Sequence, residues 1–527
     1  MNILLLLLLA SIIGVTADSS DAGTEPEPED ESGDDVIVND ALFFDGTDEA
    51  DTYAHDGTGV IRGLGGDDTL EVGGYSRAEG GAGDDDITVH DISKGFGGAG
   101  ADTMDIHNAG IGHGNSGDDT ISAYNQSTAY GGQGEDTLYA NRYAEITGGS
   151  GDDTMVAANF AKAGGSLGDD DITVRDEARG WGGVGDDTMS AHDDSTVVGG
   201  SGDDMLTLDQ RAFGRGQQGD DTFILSDMAT GRGEVGNDDF TLGGESVAYG
   251  GVGNDSFSDD GNLYGGGTGY GEAGNDTFEG YGHAHYYGGT GADSYDGMTE
   301  YAADLVFGGS GEDQITLAQG GEGHGGKGDD TMSLSQRGII DGESGDDRIV
   351  LTRTVEVDAE DGVSQAPANL PADITATGGR GEDTFVLSDA IFHADVSYVD
   401  GVEPEAGSDV ATSLMDAAFP EALHIGAITD FDPAEDTLVL ELPDGTDGYS
   451  LYSITTTPVS GEAAVDVSIT LANSDITQPE VLRTVRLMGL TEFDADNIMM
   501  IQVEPPIPLP EPPMPPAPTP TPVAATV

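Results

Sequence analysis

The sequence predicts an all-β fold: a parallel β-roll or β-helix solenoid of 17-residue coils, followed by a small β-rich C-terminal cap. Three observations predict it. An Asp recurs every 17 residues, each Asp closes a Gly-x-x-Gly-x-Asp step, and an apolar residue stands two places after it. A fixed short period marks stacked repeats, each too small to bury a core alone.

The Asp series runs Asp68, Asp85, Asp102, Asp119, Asp136, Asp153, Asp170, Asp187, Asp204, Asp221, Asp238 and Asp255 without a break in register. It resumes at Asp276, Asp293, Asp313, Asp330 and Asp347, with intervals of 21, 17, 20, 17 and 17, and once more at Asp383. Asp51 lies one period before Asp68, so a degenerate first coil is expected. All 18 copies from Asp68 to Asp383 carry Gly at the first and fourth positions of the step. The apolar position is Leu70, Ile87, Met104, Ile121, Leu138 and Met155 in the first six copies, becomes mostly Phe later, and is never polar.

Each coil should hold two short strands. Two residues beyond the apolar position come Val72, Val89, Ile106 and Ala123, so period-two alternation points both positions inward. Ten after the Asp come small residues such as Ala78, Gly95, Gly112 and Ala129. Large side chains of one strand therefore meet small ones of the other, in a thin core poor in apolar area. The Gly positions are expected to supply φ > 0 and to let carbonyls crowd inward. A ladder six after the Asp (Asp91, Asn108, Asn125, Arg142, Asn159, Asp176, Asp193, Gln210, Asp227) reads as side-chain hydrogen bonding at a tight turn. The acids just before the repeat Asp, such as Asp67, Asp84, Asp118 and Asp152, are read as solvent-facing.

Composition limits the function. With 101 acidic against 17 basic residues the net charge is −84, which makes nucleic acid and anionic lipid poor partners. There is no Cys, which excludes disulfides and thiolate metal sites. A hard cation held by oxygens is the remaining way to staple such a chain.

The motif resembles the glycine-rich nonapeptide of the RTX (repeats-in-toxin, hemolysin-type) family, Gly-Gly-x-Gly-x-Asp-x-U-x, a Ca²⁺-binding repeat. The resemblance covers residues 63 to about 386. It implies one Ca²⁺ loop per coil, with the 18 Asp residues named above as ligands. Backbone carbonyls of loop residues such as Gly80, Gly83, Gly148, Gly151, Gly199 and Gly202 would complete the sites. Adjacent loops bring these Asp residues into one row that repels itself, and a cation between loops reverses the sign of that repulsion. Folding on calcium binding follows. One feature differs from the family: typical rolls line both edges with calcium, whereas here only one edge carries the motif. The 12 loops from Gly63 to Asp255 would hold about 11 ions in one row, each between successive loops.

The domain plan has six parts. Residues 1–17 read as a signal peptide and 18–35 as an acidic linker. Residues 36–350 form the calcium-binding roll, and 351–423 are irregular insertions with one further repeat near 378–386. Residues 424–503 are a β-rich C-terminal domain capping the open sheet edge. Residues 504–527 form a tail in which Pro505 to Pro522 hold 11 of the 21 prolines, read as an extended polyproline II spacer. The signal places the protein outside the cell or at its surface. RTX proteins commonly leave through a channel directed by the C-terminus, a route this signal and tail fit badly.

No enzyme constellation is read from the sequence: His-Glu-x-x-His and the P-loop are both absent. The histidines that draw notice, His283 with His285 and His90 with His107, read as solvated. The expected function is therefore a secreted calcium-binding protein, not an enzyme, with a structural or adhesive role and with cell-surface or matrix components as partners. A secreted enzyme or toxin with an unrecognised active region is the alternative. An ice-binding RTX protein is a second, disfavoured because Thr290 alone supplies Thr at the third loop position, while the more regular Thr69, Thr103 and Thr120 are read as strand starts.

Overall fold

The computed structural model describes residues 37–38 and 43–502, apart from 260–265, 281–282, 298–303, 318–319, 336, 353, 358–373, 389–394, 399–421, 443–448 and 474–480. The expected signal peptide, acidic linker and Pro-rich tail lie outside the described residues.

Every coil is built as the 17-residue period requires. Immediately after the repeat Asp a short strand enters a front sheet, for example Thr120–Tyr124, Thr137–Asn141 and Thr154–Ala158. The chain turns and returns through a back-sheet strand such as Thr128–Gln133 or Glu145–Ser150, which runs into the next Gly loop. Strands of successive coils pair parallel with a 17-residue offset, Ile121 opposite Leu138 and Ala129 opposite Ile146. The front sheet contains 22 strands. The degenerate first coil is present: Thr52–Gly57 pairs parallel with Thr69–Gly74.

Between the two sheets lies one continuous apolar core. Leu70, Ile87, Ile121, Leu138 and Leu206 are fully buried at the apolar position, facing Ala78, Ala129, Ala163 and other small residues of the back sheet. The reason for smallness is steric. A Cβ on Gly95 would sit 2.7 Å from Val89 Cγ2 and 2.8 Å from Met104 Cε. Where the apolar position becomes Phe, the rings of Phe223, Phe240, Phe257 and Phe278 stack inside the roll at 4.7–4.9 Å.

The turn opposite the Gly loops corrects the reading of its polar ladder. Asn108, Asn125, Arg142, Asn159, Asp176, Asp193, Gln210 and Asp227 all have φ between 45° and 58°, and the residue after each is also left-handed. Asn and Asp recur there because they tolerate this backbone, as Gly74 and Gly244 do at the same position. Side-chain bonding is minor: Asn125 Nδ2 to Asn108 Oδ1 is 3.4 Å, and Asn159 bonds Asn141 instead, at 3.2 Å. Main-chain bonds between coils hold the edge, as in Tyr143 N–H to the Asn159 carbonyl at 3.2 Å and Phe160 N–H to that of Asp176 at 3.1 Å.

The C-terminal segment is continuous with the roll rather than separate from it. The coil of Asp383 contributes Ile374–Thr377 and Thr384–Leu387, which pair parallel with Ala422–Ile428 and Thr437–Leu442. A last coil adds Val481–Met488 and Met499–Gln502. Among the described residues the antiparallel pairings are those of the hairpin Tyr449–Pro458 and Ala464–Asn473, which extends the back sheet past its final parallel strand, Val481–Met488.

Phe240→Ala removes the middle of the internal Phe stack. It is expected to cost about 3–5 kcal/mol, read as a lower denaturant midpoint and as faster amide exchange in the coils of Phe223 and Phe257.

Candidate metal centre

The repeat Asp is the first residue after the Gly loop, and its side chain turns inward; from Asp68 to Asp383 all 18 are buried. Each is held by the coil before it. The main-chain N–H of Asp68 donates to Asp85 Oδ1 at 2.8 Å, Asp85 to Asp102 at 2.9 Å, and Asp102 to Asp119 at 2.8 Å. The pattern continues through Asp153 to Asp170 and Asp204 to Asp221. Insertions do not interrupt it: Asp255 reaches Asp276, Asp293 reaches Asp313, and Asp347 reaches Asp383, at 2.8–2.9 Å. The row is thus unbroken across sequence intervals of 21, 20 and 36 residues.

The second oxygen is different. From Asp68 to Asp347, 17 consecutive Oδ2 atoms are buried with no hydrogen-bond partner among the described residues. Each lies against the first Gly of its own loop, beside the carbonyl of the first Gly of the next coil. A Cβ on Gly80 would fall 2.7 Å from both Asp85 Cγ and the Gly97 carbonyl oxygen. That crowding, not left-handed backbone, is why the first position is Gly. Positive φ belongs to the fourth position (Gly83, 136°; Gly151, 118°) and to the second, which Leu64, Asn115 and Ser166 also occupy.

The predicted carbonyl ligands divide accordingly. Those of Gly80, Gly148 and Gly199 flank the Oδ2 row, 2.6, 2.8 and 2.7 Å from where a Cβ would sit on the first Gly of the preceding loop. Those of Gly83, Gly151 and Gly202 lie in a separate column, against the fourth Gly of the next coil. The structure therefore brings the 18 Asp residues and the first-position carbonyls together, and not the fourth-position ones.

A second ladder was missed by the sequence reading. Asp67, Asp84, Asp118 and Asp152 are exposed, as expected, yet each accepts a main-chain bond from the following coil: Asp84 N–H to Asp67 Oδ1 at 3.0 Å, Glu135 to Asp118 at 2.9 Å, Asp169 to Asp152 at 2.9 Å. The inner carboxylate reaches back one coil and the outer one reaches forward, so each loop is clamped in both directions.

The near end of the row lies in the expected first coil; its far end was missed. Asp51 donates its N–H to Asp68 Oδ1 at 2.8 Å, and its own Oδ2 accepts Thr47 N–H at 2.7 Å. At the far end Asp383 N–H reaches Asp436 Oδ1 at 3.2 Å, while Asp436 Oδ2 accepts Asp432 N–H at 2.7 Å. Asp430 accepts from Gly378 and Gly379. The triplet Asp436-Thr437-Leu438, identical to Asp68-Thr69-Leu70, was the available signal.

Burial raises the carboxyl pKa along the row, against the opposing effect of the main-chain donor, and neighbouring carboxylates add to the rise. Asp68, Asp85 and Asp153 are pushed up to about 6, Asp119, Asp170 and Asp204 to about 7, and Asp221 to about 8.

The donor set is all oxygen: one hydrogen-bond-free carboxylate oxygen per coil with main-chain carbonyls. Oxygen donors of this kind are those a hard cation takes, although among the described residues no group of three or more His, Cys, Asp or Glu side chains is placed to hold a metal ion. His90 and His107 stack at 5.4 Å and continue to Tyr124 at 5.1 Å, with His90 Nε2 3.4 Å from Glu71. His285 begins the back-sheet strand His285–Thr290, and His283 lies in the turn before it with φ 65°.

Searches against family models, curated proteins and solved structures found no match.

The raised pKa values set the direction of the chain's pH response in excess chelator. The folded state binds these protons more tightly than the unfolded chain does. Its stabilisation is complete below the ordinary carboxyl value near 4 and is lost as pH rises through about 6–8. Far-UV circular dichroism of metal-free protein should therefore show more β-structure at pH 4.5 than at pH 8. The opposite order would contradict an uncompensated carboxylate row.

Proposed function

We propose that this chain is a secreted calcium-binding repeat protein of the RTX type, a rod that assembles on its metal and serves outside the cell as a structural or adhesive element rather than an enzyme. The observation that carries the reading is the file of 17 buried Oδ2 atoms with no hydrogen-bond donor. A lone buried carboxylate oxygen costs free energy, and 17 in register at the coil spacing also repel one another.

The residues divide the work. Oδ1 of each repeat Asp fixes the side chain by accepting the preceding coil's N–H, which leaves Oδ2 as the ligand. The first-position Gly admits that oxygen to the wall of the roll and offers the next coil's carbonyl beside it. The outer Asp and Asn residues keep the loops in register from the solvent side. Bound Ca²⁺ would supply the positive charge that two successive loops lack. With 22 front strands at about 4.8 Å, the product is a rod on the order of 100 Å long, whose net charge of −84 disfavours nucleic acid and favours partners that tolerate or bridge through divalent cations.

Two measurements test this. In a Ca²⁺ titration at pH 7.5, far-UV circular dichroism and the emission of Trp181, the only Trp, should change together at about 10⁻⁴–10⁻³ M. A chain equally folded in excess chelator sinks the proposal. The second compares Asp153→Asn/Asp170→Asn with Asp152→Asn/Asp169→Asn. The inner pair keeps the Oδ1 acceptor but loses the charged oxygen, so it should lower the unfolding midpoint in millimolar Ca²⁺ while leaving no less β-structure in chelator. The outer pair, exposed and still able to accept, should stay within about 0.5 kcal/mol of wild type in both.

A further inference from the structure

The outer face of the back sheet carries a feature that the calcium row does not use. At one outward position of successive strands, Tyr249, Tyr270, Tyr287, Phe307 and His324 form a continuous parallel stack, with ring centroids 4.9, 4.8, 5.1 and 4.7 Å apart. Arg232 closes it at one end, its guanidinium carbon 4.6 Å from the Tyr249 centroid. The rings cover one another's faces, so the ridge shows solvent its ring edges and three Tyr hydroxyls. The five side chains are half-buried and form a contiguous aromatic ridge on a chain with only 6% aromatic residues.

We propose that this ridge is the docking site of the chain's own Pro-rich segment, Pro505 to Pro522. Polyproline II segments dock along aromatic-lined surfaces, most often grooves, because the preformed helix loses little conformational entropy as Pro rings bury against aromatic side chains. The repeats agree. Polyproline II advances about 9.3 Å in three residues, and two coils of the roll advance about 9.6 Å. A Pro at every third place therefore meets every second ring, and Pro510, Pro513 and Pro516, like Pro512, Pro515 and Pro518, have that spacing.

Reach agrees as well. The described chain ends at Gln502, in the last coil. His324 lies four back-sheet steps from that coil's strand, and Tyr249 four steps further, about 38 Å in all at the coil spacing. Passing from the front sheet to the back adds about 10 Å. The 25 residues 503–527 can span about 78 Å in polyproline II. Charge favours this occupant over another copy's roll: residues 503–527 hold just two acids, Glu504 and Glu511, whereas the whole chain carries −84.

The test is a distance measurement on the full chain, folded in Ca²⁺. Because there is no native Cys, Thr268→Cys and Ala517→Cys give two unique sites for nitroxide labels. Pulsed electron paramagnetic resonance should show one narrow distance population. Adding Tyr270→Ser and Tyr287→Ser, both outward-facing, should broaden it with the circular dichroism unchanged. A broad distribution indifferent to the Ser substitutions would overturn the proposal. So would a narrow population that disappears when labelled protein is diluted tenfold into unlabelled protein, which would place the segment on a second copy.

Discussion

A buried carboxylate has two oxygens to satisfy, and in this fold the main chain satisfies one. The N–H that follows each Gly loop points along the roll axis and meets Oδ1 of the next coil, so the Asp is locked in place before any ligand is considered. The geometry that fixes Oδ1 leaves Oδ2 inside the wall with carbonyl oxygen beside it. Everything else follows from that half-met requirement. The first Gly must be Gly because the carboxylate occupies its Cβ space. The apolar core must be narrow because the loop turns so tightly, and a narrow core of Leu, Ile and Met against Ala and Gly has little surplus with which to offset a row of charges.

This arrangement also explains which irregularities are tolerated. Longer sequence intervals, as between Asp255 and Asp276 or between Asp347 and Asp383, leave the main-chain to Oδ1 step intact at 2.8–2.9 Å. The chain can be lengthened wherever it faces solvent, since loop closure grows slowly with length, but not between the first Gly and the Asp, where the step is invariant in all 18 copies. Asp51 and Asp436 show how the row stops. In both, Oδ2 has a main-chain donor of its own, from Thr47 and from Asp432. The unmet oxygens are therefore confined to the interior of the row.

The legible part of the fold was whatever depends on period. Seventeen-residue spacing, inward alternation and the identity of the inner Asp row are one-dimensional facts, and Ile121 opposite Leu138 or Asp102 bonded to Asp119 could be read directly from the intervals. What the residues do with direction was not legible. Asp67 and Asp68 are neighbours of the same type; only the backbone turning at Gly66 sends one out and the other in. The ladder from Asn108 to Asp227 was visible, but Asn signals both a side-chain bond and a left-handed backbone, and only the backbone angles, shared by Arg142 and Gln210, decide for the second. The closing Asp436 was hidden because the glycines that announce the motif are absent where the roll ends.

The two clamps at each loop have different physical characters, and this separates register from stability. The outer carboxylates sit in solvent, keep their ordinary hydration, and fix one coil over the next at small energetic cost. The inner ones are desolvated, and their pKa values near 6–8 show how strongly the site disfavours bare charge. A coil can thus be aligned by its exterior while its interior still lacks positive charge. Whatever supplies that charge, a proton on each carboxyl or a cation between loops, acts on a structure already in register. Ordering can then propagate from coil to coil along the row instead of being nucleated anew at each loop.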